Sequence, residues 1–198
     1  MKKVVAIFGS PRADGNSDIL LNHSIKGAEA SGAEVQKIVI RDLQIAPCNS
    51  CGGCFEKGEC VIHDDMQQVY SHFVDTDGII VASPIYFMGV SAQLKALIDR
   101  CQAFWARKYI LHLPVREGAR IANGFLIATA ARSSGEELFT GAIKTIKAFF
   151  HVLDTKYVGD ILCCGLEEKG MVYTKHNLLQ KAFDAGKQLL HGNDFFRK

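Results

Sequence analysis

The sequence predicts an α/β protein: a five-stranded parallel sheet, order 2-1-3-4-5, with helices on both faces. Three observations predict it. Short runs rich in Val, Ile and Phe alternate with stretches whose apolar residues recur every three or four positions. The runs are nearly continuous, as in strands buried on both faces, rather than alternating. The 198 residues are 48% apolar, enough to bury a core without disulfide staples. Right-handed crossovers leave few topologies, and 2-1-3-4-5 is the one that suits five strands.

The elements follow in order. "KKVVAIFGS" is a buried strand that stops at Gly9. In "NSDILLNHSIKGAEASG", Ile19, Leu20, Ser24, Ile25 and Ala28 trace one helical face, and Gly32 ends it. "EVQKIVIRD" is a second strand, and a long cysteine-rich connection, residues 47–62, comes after it. "DDMQQVYSHFVDTD" has acids at its start and Met66, Val69, Phe73 and Val74 on one side, a short helix. "GIIVASPIYF" is a third strand ending at Pro84. "SAQLKALIDRCQAFW" reads as one helix with Leu94, Leu97, Ile98 and Cys101 inward. "RIANGFLIATAA" is a fourth strand, "GEELFTGAIKTIKAFFHVLD" a long amphipathic helix, "TKYVGDILCCG" a fifth strand and "TKHNLLQKAFDAGKQLLHG" a final helix. Residues 101–118 fit no pattern as a whole and read as an interface or a lid, with Trp105 as anchor. One domain spanning 1–198 is expected, since no repeat, low-complexity tract or Pro/Gly/Ser linker interrupts the pattern.

Charge excludes some functions. There are 23 Lys and Arg against 21 Asp and Glu, net +2 and scattered, which gives no footprint for nucleic acid. No stretch approaches the ~20 apolar residues of a membrane span. The apolar run from Val4 to Phe8 is too short for a signal-peptide core. The expectation is a soluble cytoplasmic protein, where thiols stay reduced.

Ligands of such sheets bind beyond the carboxyl ends of the strands, where the winding reverses. Three polar loops, 9–17, 83–89 and 129–135, fall there. "GSPRADGNS" leads into a helix N-terminus, whose free N–H groups suit a phosphate. Ser10 and Ser17 offer hydroxyls, Asn16 an amide, Arg12 a guanidinium, and Gly15 a close backbone approach. Gly15 is followed by Asn16 rather than Lys, so this is no Walker A loop, and G-x-G-x-x-G fails after Gly9. A plain helix cap at Asn16 or Ser17 is the bland alternative. In the second loop, Pro84 is followed by Ile85, Tyr86, Phe87 and Met88, large apolar side chains at an exposed strand end. They suit a flat heteroaromatic ring, unless they cap the core or form an interface. Thr129 and Ser133 add hydroxyls on the far side. A phosphate at the first loop and a ring at the next two describe flavin mononucleotide, FMN.

On "GSPRADGNS" and "SPIYFMGVSAQLKALIDR" the chain resembles the NADPH-dependent FMN reductase group of flavodoxin-like proteins. "PCNSCGGCFEKGECVIHDDM" is similar to the iron–sulfur flavoproteins: Cys48, Cys51, Cys54 and Cys60 are spaced x2, x2 and x5. The resemblance implies FMN held at its phosphate by Ser10, Arg12, Asn16 and Ser17. It implies the ring beside Pro84, Ile85, Tyr86, Phe87 and Met88, with Thr129 and Ser133 nearby, and a homodimer or homotetramer.

The cysteines themselves leave several readings open. Four in thirteen residues can ligate a [4Fe–4S] cluster, with Gly52, Gly53 and Gly58 easing the turns. A zinc knuckle, which more usually pairs two C-x2-C units across a longer gap, a redox dithiol and a disulfide staple are the alternatives. Cys101 reads as core, and one of Cys163 and Cys164 must face inward. The expected activity is FMN-dependent redox chemistry. In one form a cluster passes electrons between a carrier such as ferredoxin and the flavin, for a quinone, oxygen or peroxide acceptor. In another, NAD(P)H reduces FMN or a quinone with no cluster. A non-catalytic FMN carrier is the third form, disfavoured by the slightly basic charge, and a zinc-bearing binding module the last.

Overall fold

The computed structural model describes residues 1–191, without the Glu136 side chain. The expected end of the last helix at Gly192 and the final residues of the expected 1–198 domain lie outside the described residues. Strands β1 (Lys3–Phe8), β2 (Glu34–Val39), β3 (Gly78–Pro84), β4 (Ala122–Thr129) and β5 (Thr155–Cys163) form one parallel sheet. Its order is β2-β1-β3-β4-β5, the flavodoxin-like order expected. Helices are α1 (Asn16–Ala30), α2 (Met66–Val74), α3 (Ala92–Arg100), α4 (Gln102–Tyr109), α5 (Thr140–Val152) and α6 (His176–Gln188).

Side-chain alternation along the strands feeds two cores. Val4, Ala6 and Phe8 of β1 face a layer built from α1 and α6, including Leu20, Leu21, Ile25, Ala182 and Ala185. Val5 and Ile7 face the opposite layer, with Val69 and Phe73 of α2, Leu94 and Leu97 of α3, Phe104 of α4, and Ile146 and Phe149 of α5. Each fully buried Val, Leu, Ile or Phe side chain among these contributes about 1.5–3 kcal/mol. Helices α1 and α6 touch at Gly27 and Gly186, where a Cβ would run into the Phe183 and Ser24 carbonyls respectively. The Ser24 hydroxyl donates to the Ala182 carbonyl at 2.8 Å in the same contact.

Two elements depart from expectation. The single helix expected over 91–105 is broken at Cys101 (φ −70°, ψ 4°). The break lets α4 take a new direction: Phe104 packs edge-on against Tyr70 and Phe73, at 5.5 and 6.3 Å, while Trp105 lies over Phe55 at 6.5 Å. The expected long helix from Gly135 begins as a 3-10 turn, Glu136–Phe139, and becomes α-helical at Thr140. Among the described residues no helix is long and apolar enough to cross a membrane.

Candidate functional site

The carboxyl ends of β1, β3 and β4 lie side by side, with Phe8 opposite Ala82 and Pro84 opposite Thr129. The three loops therefore leave one rim, at the β1/β3 reversal of winding. Ser91 ties the first two together. It is buried, its hydroxyl accepts from the Leu94 N–H at 3.2 Å as the α3 N-cap, and it donates to the Gly9 carbonyl at 2.5 Å. The Ser83 hydroxyl accepts from the Ser91 N–H at 3.1 Å. Gly9 donates to the Ala82 carbonyl at 2.8 Å, and a Cβ there would lie 2.7 Å from that oxygen and 2.9 Å from Leu94 Cδ2. The site needs glycine for this close approach. Nothing in the sequence pattern singled out Ser83 or Ser91.

The first loop ends on Gly15, and no side chain caps α1. The Ser17 hydroxyl makes no hydrogen bond among the described residues, and Arg12 is exposed. The uncapped start of α1 and the exposed Arg12 are open to solvent, and Ser17 is buried beside them. Ser10 is buried in a tight turn: its hydroxyl donates to the Arg12 carbonyl at 3.0 Å and accepts from the Arg12 N–H at 3.1 Å. The Asn16 carboxamide, expected to offer its amide to a phosphate, is spent elsewhere. It donates to the Leu166 and Glu168 carbonyls at 3.2 and 2.8 Å and accepts from the Val172 N–H at 3.2 Å. Of Asn16, that leaves the main-chain N–H at the uncapped start of α1. Beneath the loop, buried Asp18 accepts from Arg41 at 2.9 Å and from the Asp14 N–H at 3.2 Å. Burial holds its pKa above the usual carboxylate value despite Arg41.

The second loop is a strained two-residue turn. Tyr86 and Gly89 exchange both main-chain hydrogen bonds, at 3.0 and 2.9 Å, and the central Phe87 and Met88 have φ of 48° and 62°. Positive φ at both central residues is the I′ pattern, normally filled by Asn and Gly. Phe87 is fully exposed, and Tyr86 and Met88 are about half exposed (48% and 47%). None caps the core. Ile85 donates to the Thr129 carbonyl at 2.8 Å, and Pro84 pairs with Thr129, so the hinge of this loop is fixed to the third. Thr129 is buried and Ser133 exposed.

The cysteine segment is a closed excursion. Asp64 accepts from the Ala46 N–H at 2.9 Å and Asp65 from the Gln44 N–H at 2.7 Å, pinning the residues after the loop to those before it. Cys48, Cys51, Cys54 and Cys60 line one cavity of about 620 Å³ with Arg100, Cys101 and Trp105. All seven cysteines are free thiols. Ser50, Gly52 and Gly58 have positive φ, which lets the segment curl around the cavity. Burial raises the Cys54 pKa, and the other three sulfurs are near enough to raise it further. Among the described residues, no three His, Cys, Asp or Glu side chains converge on a point fit for a single ion. The fifth thiol, Cys101, is buried, and burial pushes its pKa up. Cys163 is buried at the end of β5, while Cys164 is half-buried.

Residues 2–160 match the NADPH-dependent FMN reductase family. The chain belongs to that family. An iron-sulfur flavoprotein of Methanocaldococcus jannaschii is 36% identical over 80% of this chain and 76% of its own. Another, from Methanosarcina thermophila, is 34% identical over 80% and 78%. Among solved structures, an NAD(P)H:quinone oxidoreductase from Methanothermobacter marburgensis superposes with a TM-score of 0.73 at 14% identity, covering 97% of this chain and 98% of that one. An FMN-dependent NADH-azoreductase from Bacillus anthracis, in complex with FMN, gives 0.69 at 15% identity over 96% and 100%. These two carry the fold alone. As a member of the FMN reductase family, the protein is a flavin-dependent oxidoreductase, and the fold places three loops where this family's sheet can take a ligand.

Proposed function

We propose that the protein is an FMN-dependent oxidoreductase of the iron–sulfur flavoprotein type, acting in a reducing cytoplasm. The observation that carries this reading is the pairing of an uncapped helix N-terminus, beside a free Ser17 hydroxyl, with four free thiols around one cavity. When bound, FMN exchanges one or two electrons and a cysteine-held [4Fe–4S] cluster single ones, suiting ferredoxin or NAD(P)H as donor and a quinone, oxygen or peroxide as acceptor.

The chain's own residues do the positioning. The main-chain N–H groups of Asn16 and Ser17, the Ser17 hydroxyl and Arg12 hold the phosphate; Ser10 shapes the turn, and Asn16 anchors it from behind. Tyr86, Phe87 and Met88 supply apolar area for the ring, with Pro84, Ile85, Thr129 and Ser133 at its edges. The strained turn supports this, since φ > 0 at Phe87 and Met88 costs energy that no packing of Phe87 repays. Cys48, Cys51, Cys54 and Cys60 are the ligand set. A cluster takes its thiolates from a wider circle than a single zinc, whose Zn–S bonds are about 2.3 Å, and the broad cavity favours the cluster. The exposed apolar side chains at Phe87 and at Trp105, Tyr109 and Leu113 support assembly as a homodimer or homotetramer.

Anaerobic purification followed by counts of FMN, iron, sulfide and zinc tests the reading. FMN with about four irons and four sulfides per chain is expected. FMN without iron, even after reconstitution, would replace it with NAD(P)H-dependent flavin or quinone reduction. Neither group would sink both.

A further inference from the structure

Arg100 is fully buried at the end of α3, and its ion-pair partner is Asp64, at the exit of the cysteine loop. It sits in the neck of the cysteine loop. Its Nη1 donates to the Ala46 carbonyl at 2.9 Å and to Asp64 Oδ2 at 2.5 Å; its Nη2 donates to the Ile62 carbonyl at 3.0 Å and to Asp64 Oδ1 at 3.2 Å. Ala46 precedes Cys48 and Ile62 follows Cys60, so one guanidinium holds both ends of the loop. Its fifth donor, Nε–H, is buried and has no hydrogen-bond partner among the described residues. A buried donor left unpaired carries a full desolvation penalty, so it needs an explanation.

Arg100 lines the same cavity as Cys48, Cys51, Cys54 and Cys60. The Tyr70 hydroxyl donates to the Arg100 carbonyl at 2.8 Å and fixes its main chain there. Hydrogen bonds to the sulfurs and local charge set cluster potentials.

Resting on the cluster reading above, we propose that Arg100 is a positioning residue for the cysteine centre: it closes the loop's neck and presents its spare N–H to the cavity that the four cysteine sulfurs line. A donor on a cation at a ligand sulfur favours the form with one more electron. In the one-electron couple, a mediator poised with dithionite gives one electron to the centre; the guanidinium stays protonated and no bond breaks.

The test is the midpoint potential of the reconstituted, FMN-loaded protein, followed by electron paramagnetic resonance, with the FMN couple of the same sample as internal reference. Iron is counted first on the wild type, and its absence there overturns the cluster reading itself. Arg100→Lys keeps the charge and an ion pair with Asp64 but loses the fork and Nε–H. Its one-electron reduction should become at least tenfold less favourable, about 59 mV lower, while the FMN couple stays put. Loss of iron from a folded, FMN-bearing Arg100→Lys supports the neck closure. Tyr70→Phe, which loosens the Arg100 main chain beside the same cavity, should shift the potential in the same sense by less. Wild-type iron content and wild-type potentials in both variants overturn the proposal, as does an equal shift of cluster and FMN couples, which marks a general loosening.

Discussion

Phe87→Gly separates strain from function. Phe87 holds φ of 48° in the turn between Tyr86 and Gly89 and is fully exposed. A left-handed conformation costs an ordinary residue about 1–2 kcal/mol, which glycine avoids. Glycine gives back about 0.4–1 kcal/mol through the greater freedom of the unfolded chain. No buried area is lost, so the flavin-free protein should gain about 0.5–1 kcal/mol. For a chain of this size that is a rise of about 1–4 °C in Tm. If the ring of Phe87 lies on the flavin, the same change removes an aromatic contact worth about 0.5–1.5 kcal/mol, and FMN Kd should rise roughly two- to twelvefold. Thermal unfolding of the apoprotein and fluorescence titration with FMN measure the two terms separately. A lower apoprotein Tm would mean that Phe87 packs in the free protein and the turn is not strained. An unchanged FMN Kd would remove the ring contact from the site.

Ser17→Asp places a carboxylate at the uncapped start of α1; FMN should no longer copurify, and wild-type flavin content would refute the phosphate assignment. Cys51→Ala should lose iron and keep FMN, and retained iron would exclude this exposed cysteine as a ligand. Asp77, away from the site, accepts from the Lys3 N–H and from Lys2 Nζ, both at 3.0 Å. Burial raises its pKa, but these bonds outweigh it and hold it below the usual carboxylate value. Its contribution is therefore complete above about pH 4 and lost as pH falls through the lower folded value. Asp77→Asn should cost about 1–2 kcal/mol at pH 7 and flatten the acid limb of the stability curve; an unchanged limb in urea titrations would refute the assignment.

What was legible in the sequence was whatever depends on local pattern. The apolar runs located all five strands, and the winding rule located the rim. The four clustered cysteines were visible by spacing alone. Contacts between distant residues were not. Arg100 reads as one more charge at a helix end, because nothing local says that Ala46 and Ile62 will lie over it. The break at Cys101 was hidden because the apolar period runs on through Phe104. Asn16 has the right residue type for a phosphate loop, yet its amide is committed to carbonyls some 150 positions away. Ser91 was not singled out by any pattern, yet it caps α3 and ties that helix to Gly9.

The Asn16 anchor bears on how the protein is made. Leu166, Glu168 and Val172, which hold its carboxamide, are translated long after the loop they brace. The chain leaves the ribosome N-terminus first, at about 5–20 residues per second, and a domain generally folds as a unit. The first loop thus emerges early but cannot take its braced form until the segment after β5 has arrived. Capture of FMN becomes a late event of synthesis, and a nascent chain halted before Val172 would carry the loop's residues without its shape.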